Sequence, residues 1–274
     1  MPVSTSLRGR IPGQGVIGDI VLAQQDVPRR SRLARFFGFS PLTNATRSLY
    51  RAALGEQVVA ETLDQLGPRW DILHVVPLVD ADTSDEGAPA QIDHLVIGPP
   101  GVFAITTQNL PAQEVRVVGD AMTVGGKSTR IIPTARRFAE LAAARLGAAA
   151  GRPVRVEAVV VVIDASRLAQ RVRPDGVTVI TSRQLVRYLF RLERELAGEE
   201  IAAISDYADR DATWGCQLSA PDDATQLGVQ FAALRDQVQE AVQARVFWVV
   251  VAFGIVCVSA WAGTALIVNG MFGQ

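Results

Sequence analysis

Cysteine and histidine are almost missing from this 274-residue chain, and lysine is reduced to Lys127 alone. Cys216 and Cys257 lie far apart, the second inside an apolar run, so no disulfide framework is possible. His74 and His94, the only histidines, exclude a structural zinc site. Both shortages fit a reducing compartment. Charge of one sign is also missing in bulk: Lys+Arg 27 against Asp+Glu 28 leaves a net charge of −1, which excludes a chain-wide electrostatic grip on nucleic acid. The first fifteen residues hold arginines and glycines but no apolar stretch of the signal-peptide kind, so none is expected. Repeats and low-complexity tracts are absent.

What the chain has in excess is apolar character, at 49% of residues and a mean hydropathy of +0.20. Most of the excess sits at residues 246–268, VFWVVVAFGIVCVSAWAGTALIV, without one charged residue. At 1.5 Å per residue such a helix is about 34 Å long, enough to cross a hydrocarbon core of about 30 Å. Trp248 and Trp261 sit near its ends, where indoles favour the interface. A buried core helix of that length would carry a polar stripe, and only Ser259 and Thr264 interrupt this run. The reading is a single transmembrane helix in the cell membrane. Arg235 and Arg245 precede it and no cation follows, so residues 1–245 are expected in the cytoplasm and 269–274 outside.

Charge is uneven at the other end. Before residue 52 there are eight arginines against Asp19 and Asp26. Residues 1–41, rich in Gly, Pro and Arg, read as a basic, partly disordered arm. Within it Arg29, Arg30, Arg32 and Arg35 interleave with Leu33, Phe36, Phe37 and Phe39. Such a cluster suits an anionic leaflet or, alternatively, a solvated arm packed loosely on the domain.

Residues 42–218 read as an α/β domain, with 219–245 a linker and juxtamembrane helix. A helix is expected from Thr43 or Asn44 to the Gly67-Pro68 stop, then a strand at 70–79 and an acidic loop at 80–90. Residues 91–98 and 101–108, flanking Pro99-Pro100, read as a hairpin. A second hairpin turns at Gly119-Asp120. A helix follows over 133–146, a strand buried on both faces at 154–164, a strand at 177–181, and helices at 182–196 and 199–207.

One stretch goes beyond periodicity. Gly55-Glu56 in the first long helix is followed by Gln91-Ile92-Asp93-His94-Leu95-Val96-Ile97-Gly98-Pro99-Pro100-Gly101-Val102-Phe103-Ala104-Ile105. This run resembles the NERD (nuclease-related) domain family, relatives of the PD-(D/E)XK nucleases. The family pattern is a Gly-Glu helix, an Ile-Asp-His strand, a Gly-Pro-x-Gly turn and a Val-Phe-x-Ile strand ending in Glu-x-Lys. The resemblance covers roughly residues 50–190. It implies a restriction-endonuclease-like mixed sheet flanked by helices, with the helical Glu, the strand Asp and the Glu of Glu-x-Lys around Mg²⁺. Magnesium needs hard oxygen ligands, and the Lys serves the attacking water and the developing charge.

Carried over by residue, Glu56 and Asp93 are the metal candidates, if a metal binds at all. The Glu-x-Lys positions hold Thr106 and Gln108, since the chain reads Ile105-Thr106-Thr107-Gln108-Asn109. In a strand those two share a face, which has exchanged an anion and a cation for neutral groups. Glu61, Glu114 or Asp120 are candidate replacement carboxylates, and Lys127 a replacement cation. Glu56 also reads as an ordinary helix residue, Asp93 as a strand-start cap, and His94 as a packed strand histidine. Arg136 and Arg137 read equally as phosphate contacts or as a solvated helix face. The expectation is a membrane-anchored, catalytically degenerate module that binds a protein or nucleic-acid partner. The alternative is an active metal-dependent nuclease with relocated residues, using Mg²⁺.

Overall fold

The computed structural model describes residues 6–25, 27–28, 30–78, 90–215 and 224–272. The acidic loop expected at 80–90 lies outside these residues but for Ala90, as do the linker at 219–223, Arg29 and Cys216. The chain divides into two compact units, Met1–Ile20 with Ser48–Gly228, and Val21–Arg47 with Val229–Gln274.

The first unit is mixed α/β. Strands β1 (Asp71–Pro77), β2 (Gln91–Gly98) and β3 (Gly101–Asn109) form an antiparallel meander. Parallel strands β7 (Val156–Ile163) and β9 (Val177–Thr181) extend it to the order β1-β2-β3-β7-β9. The one central sheet expected from the family is joined by a second. β4 (Glu114–Val118), β5 (Ala121–Val124), β6 (Lys127–Thr129) and β8 (Arg167–Val172) make a four-stranded sheet in the order β6-β5-β4-β8, with β4 and β8 parallel. β8 was not foreseen because its sequence, RLAQRV, is mostly exposed and lacks alternation; pairing with β4 makes it a strand.

Two apolar layers flank the five-stranded sheet. Helix α4 (Ile131–Ala150) packs Ala135, Ala139, Ala142 and Leu146 on Leu95, Ile97, Val102, Ala104, Val160 and Val162. Three alanines on one face, Ala135, Ala139 and Ala142, let that helix lie close to the strands. Helices α3 (Asn44–Leu63) and α5 (Ser182–Arg191) bring Val59, Leu63, Leu185 and Leu189 to the opposite face, against Val96, Phe103, Ile105, Val159, Val161 and Ile163. β7 therefore carries six consecutive buried residues, Ala158–Ile163, and needs no alternation. Each fully buried valine of this run contributes about 1.5–3 kcal/mol, which makes the strand the central support of the fold. α5 stops at Arg191, short of the expected 196. Residues 195 and 196 instead donate their amides to the Pro99 carbonyl, pinning the β2–β3 turn.

Part of the segment expected as a loose arm is regular structure. Leu7 joins the α4-side core, Ser6 bridges to Arg210, and the Arg8 guanidinium meets Asp71 at 2.9 Å. Helix α1 (Gln14–Gln25) buries Ile17 and Ile20 fully. Three buried aliphatic side chains outweigh the poor helix propensity of the surrounding glycines. After α5 come α6 (Gly198–Ala208) and α7 (Asp211–Trp214), whose Trp214 is fully buried with its indole donating to the Ala208 carbonyl.

In the second unit, short helix α2 (Arg32–Phe36) accompanies helix α8 (Ala224–Phe272). α8 is one uninterrupted helix of 49 residues, so the juxtamembrane segment and the apolar run are a single rod. It is long and apolar enough to cross a membrane, and the apolar side chains from Val246 to Trp261 are largely exposed.

Candidate functional site

Three pieces of backbone converge where β2 begins and β3 ends. The first is α3. A Cβ at Gly55 would lie 2.8 Å from Asn109 Cβ and 3.3 Å from Thr107 Cγ2, so only glycine lets the helix sit this close to β3. Asn109 fastens the approach by donating from Nδ2 to the Arg51 carbonyl at 2.8 Å. The next residue, Glu56, is carried down with the helix and is 3% exposed.

The second piece is β2. Its ladder with β1 passes from the His74–His94 pair to the Val76–Ile92 pair, and between them Val75 takes φ +54°. A β-branched residue in that region is rare, and the irregularity breaks alternation: Ile92 and Leu95 both enter the α4-side core. Asp93 sits within this break. Its Oδ2 accepts the Thr107 backbone N–H at 2.6 Å.

The third piece was not legible as site material. Gly13, at the start of α1, donates its backbone N–H to the Glu56 carboxylate. Gly13 lies at φ +75° with Ala53 Cα 3.4 Å from where a Cβ would be, and a Cβ at Gly15 would come 2.9 Å from Gln91 Oε1. The spaced glycines of Gly13-Gln14-Gly15 were the available signal, and they look like linker composition.

Electrostatics follow from that enclosure. Burial pushes the Glu56 carboxyl up to about 9, the neighbouring Asp93 charge adds to the rise, and the Gly13 N–H opposes it. Burial likewise raises Asp93, to about 7, against the Thr107 N–H. Burial wins over both backbone donors because a carboxylate taken out of water loses more solvation than one amide returns. At neutral pH Glu56 is a protonated carboxylic acid. Its Oε2, with Thr107 Oγ1 and Asn109 Oδ1, is buried and has no hydrogen-bond partner in the structure.

Thr106 and Gln108 share a face, as the strand geometry requires. They pair in register with Val160 and Val162 of β7, which belong to the α4-side core, whereas Thr107 and Asn109 pair with Val161 and Ile163 on the α3 side. The residues of β3 nearest Gly55 are thus Thr107 and Asn109. Glu61 is exposed on α3; Glu114 pairs with Arg116 at 3.2 Å; Asp120 pairs with Arg136 at 2.6 Å. Lys127 is exposed on β6. Arg136 is further held by the Asp175 carbonyl, so it is engaged within the fold. His94 is fully buried, its Nδ1 2.9 Å from that of His74.

Among the described residues no three His, Cys, Asp or Glu side chains gather where they could hold a metal ion. Among the described residues Glu56 and Asp93 are the carboxyls that could meet a divalent cation here, each already accepting a backbone N–H.

A carboxyl-bearing helix packs on a three-stranded meander, parallel strands extend that sheet and a helix covers its far face, a mixed α/β architecture with two mixed sheets flanked by helices. Residues 51–163, less than half of the chain, match the family model of the nuclease-related domain (NERD). The match takes in Glu56, Asp93, Thr106 and Gln108 and ends with β7. No curated protein and no solved structure matches the chain.

Proposed function

We propose that this is a membrane-anchored NERD-domain protein that has given up catalysis and acts as a binding or scaffolding module for a protein or nucleic-acid partner. The observation that carries the reading is the pair Thr106 and Gln108 at the Glu-x-Lys positions. A threonine hydroxyl is a weak neutral ligand where the metal needs a carboxylate, and glutamine brings no positive charge to the transition state. Losing both costs several kcal/mol of transition-state stabilisation, on the order of 10³-fold in rate. The enclosure of Glu56 supports the reading, because burial and the neighbouring Asp93 charge raise its carboxyl, so a metal would have to displace a proton before Glu56 could ligate it. The anchor is residues 246–268, with residues 1–245 on the cytoplasmic side, a sidedness supported by Arg235 and Arg245 before the run.

One observation favours the rival reading of an active Mg²⁺-dependent nuclease. Glu56, buried, and Asp93, half-buried beside it, persist as neighbouring carboxyls with raised pKa values, an arrangement that costs stability and is common at working sites. In that reading these two residues hold the metal. The full chain in lipid nanodiscs, incubated with single- and double-stranded DNA and RNA in Mg²⁺ or Mn²⁺, separates the two. The degenerate module leaves every substrate intact; cleavage that disappears in Asp93→Ala overturns it.

A further inference from the structure

The segment from Arg30 to Phe39 is the part of the second unit whose surface is least suited to water. Leu33 is 69% exposed, Phe36 56%, Phe37 48% and Phe39 63%, and Arg32 and Arg35 are exposed between them. An unstructured arm would average out such a pattern. This one is built. The Trp248 indole donates to the Phe36 carbonyl at 2.8 Å, and its ring meets Phe36 edge-on at 4.9 Å and Phe37 at 5.4 Å. The Arg245 guanidinium donates to the Gly38 carbonyl at 3.0 Å. Gly38, at φ +73°, leaves no room for a Cβ, which would fall 2.5 Å from the Ala241 carbonyl oxygen and 2.7 Å from the Arg245 nitrogen. Arg30 closes the turn from the other end, donating to the Phe39 and Gln237 carbonyls.

These contacts fix the height of the segment along α8. Trp248 is the third residue of the uncharged run, so the phenylalanines stand level with the boundary at which the run begins. The charge pattern matches one side of that boundary. From Val27 to Gly55 there is no acidic residue; of the acidic residues on α8, Glu240 acts on Arg30, and Arg32 and Arg35 remain exposed.

We propose that residues 30–39 form an interfacial foot, whose partner is the anionic face of the lipid bilayer crossed by α8: the aromatic rings enter the headgroup layer and Arg32 and Arg35 meet lipid phosphates. The proposal rests on α8 spanning the bilayer. Continuity with the span and the one-signed charge select lipid over a second copy of this chain, since two such surfaces would repel each other.

Two single-cysteine versions of the full chain test this in liposomes, neutral or with one third anionic lipid, each carrying an environment-sensitive fluorophore. One has Cys216→Ser and keeps the native Cys257 inside the span; the other has Cys216→Ser, Cys257→Ser and Phe39→Cys. Acrylamide and nitroxide lipids labelled shallow or deep serve as quenchers. The expected result is deep-nitroxide quenching at 257 and shallow-nitroxide quenching at 39. Acrylamide access at 39 should fall about threefold from neutral to anionic liposomes, and R32E with R35E should abolish that difference. Residue 39 remaining open to acrylamide while 257 is quenched from the bilayer overturns the foot alone. Acrylamide access at both positions overturns the membrane reading together with it. Protection at 39 that depends on protein concentration, with crosslinking between copies, assigns the surface to self-association and also overturns it.

Discussion

One unit of this molecule buries a carboxyl group, and the other exposes phenylalanines. Water-soluble proteins do the reverse at both places. In the first unit the inversion is enclosed by protein: Glu56 lies under α1, answered by one backbone N–H and crowded by Asp93. In the second the inversion is open, with Phe36 and Phe39 more than half exposed beside the start of the apolar run. Each such side chain left in water forgoes about 1.5–3 kcal/mol, so a surface with several is matched to a medium other than water. The contrast teaches that misplaced polarity has two meanings. An enclosed carboxyl reports how closely the fold packs around it, and exposed apolar surface reports the surroundings.

The comparison breaks most sharply at Gly55. Gly55→Val forces Cβ against Asn109 and Thr107, and the full chain in detergent is expected to lose about 3 kcal/mol of stability. A urea titration that shows no shift would mean α3 does not press on β3, and the enclosure argument for Glu56 goes with it.

The next effect is smaller and depends on pH. In the unfolded chain Glu56 ionises near 4.5, and in the fold only near about 9. Its contribution is fully present below pH 4.5 and is lost as pH rises through that window. Asp93 acts in the same direction between 3.8 and about 7. Glu56→Gln should therefore be about 1–2 kcal/mol more stable than the parent at pH 8, and indistinguishable at pH 4.5. The histidines work oppositely. Burial lowers both His74 and His94 below their ordinary 6.5, so stability falls as pH drops beneath that value. Glu56→Gln should leave this acid limb unchanged. Denaturant midpoints measured across pH 4–9 decide it, and parallel curves for parent and variant would refute the protonated carboxyl.

The smallest effect belongs to the foot. Trp248→Phe keeps a ring beside Phe36 and Phe37 but removes the indole hydrogen bond, worth about 1 kcal/mol. A spin label at residue 39 should become more mobile without detachment of the chain from lipid. An unchanged spectrum would say that the rings and Gly38 hold the segment unaided.

Most of the five-stranded sheet was readable in the sequence. Its strands carry strong local signals: a run of consecutive apolar residues in β7, and a Gly-Pro-Pro-Gly turn between β2 and β3. The helices were readable too, within a few residues. What could not be read was structure that depends on a distant partner. β8 is a strand because β4 offers it an edge, and Arg167–Val172 has no pattern of its own. Leu7, Ile17 and Ile20 are core residues scattered among glycines and arginines, where composition suggests a loose arm. The site divided the same way. Glu56 and Asp93 were visible because a motif names them. The Gly13 and Thr107 amides that meet them were not, since a backbone donor leaves no trace in residue identity.

Gly55 also bears on how such chains are recognised. The hydrogen in place of a side chain sets the spacing between a helix and the strand beneath it, and the acid next to it inherits its depth. Any polypeptide seating that helix at that distance has to write glycine there, whether or not it turns over a phosphodiester. The Gly-Glu dipeptide is in this sense a ruler, measuring the gap between two backbone layers, and its survival says nothing about turnover.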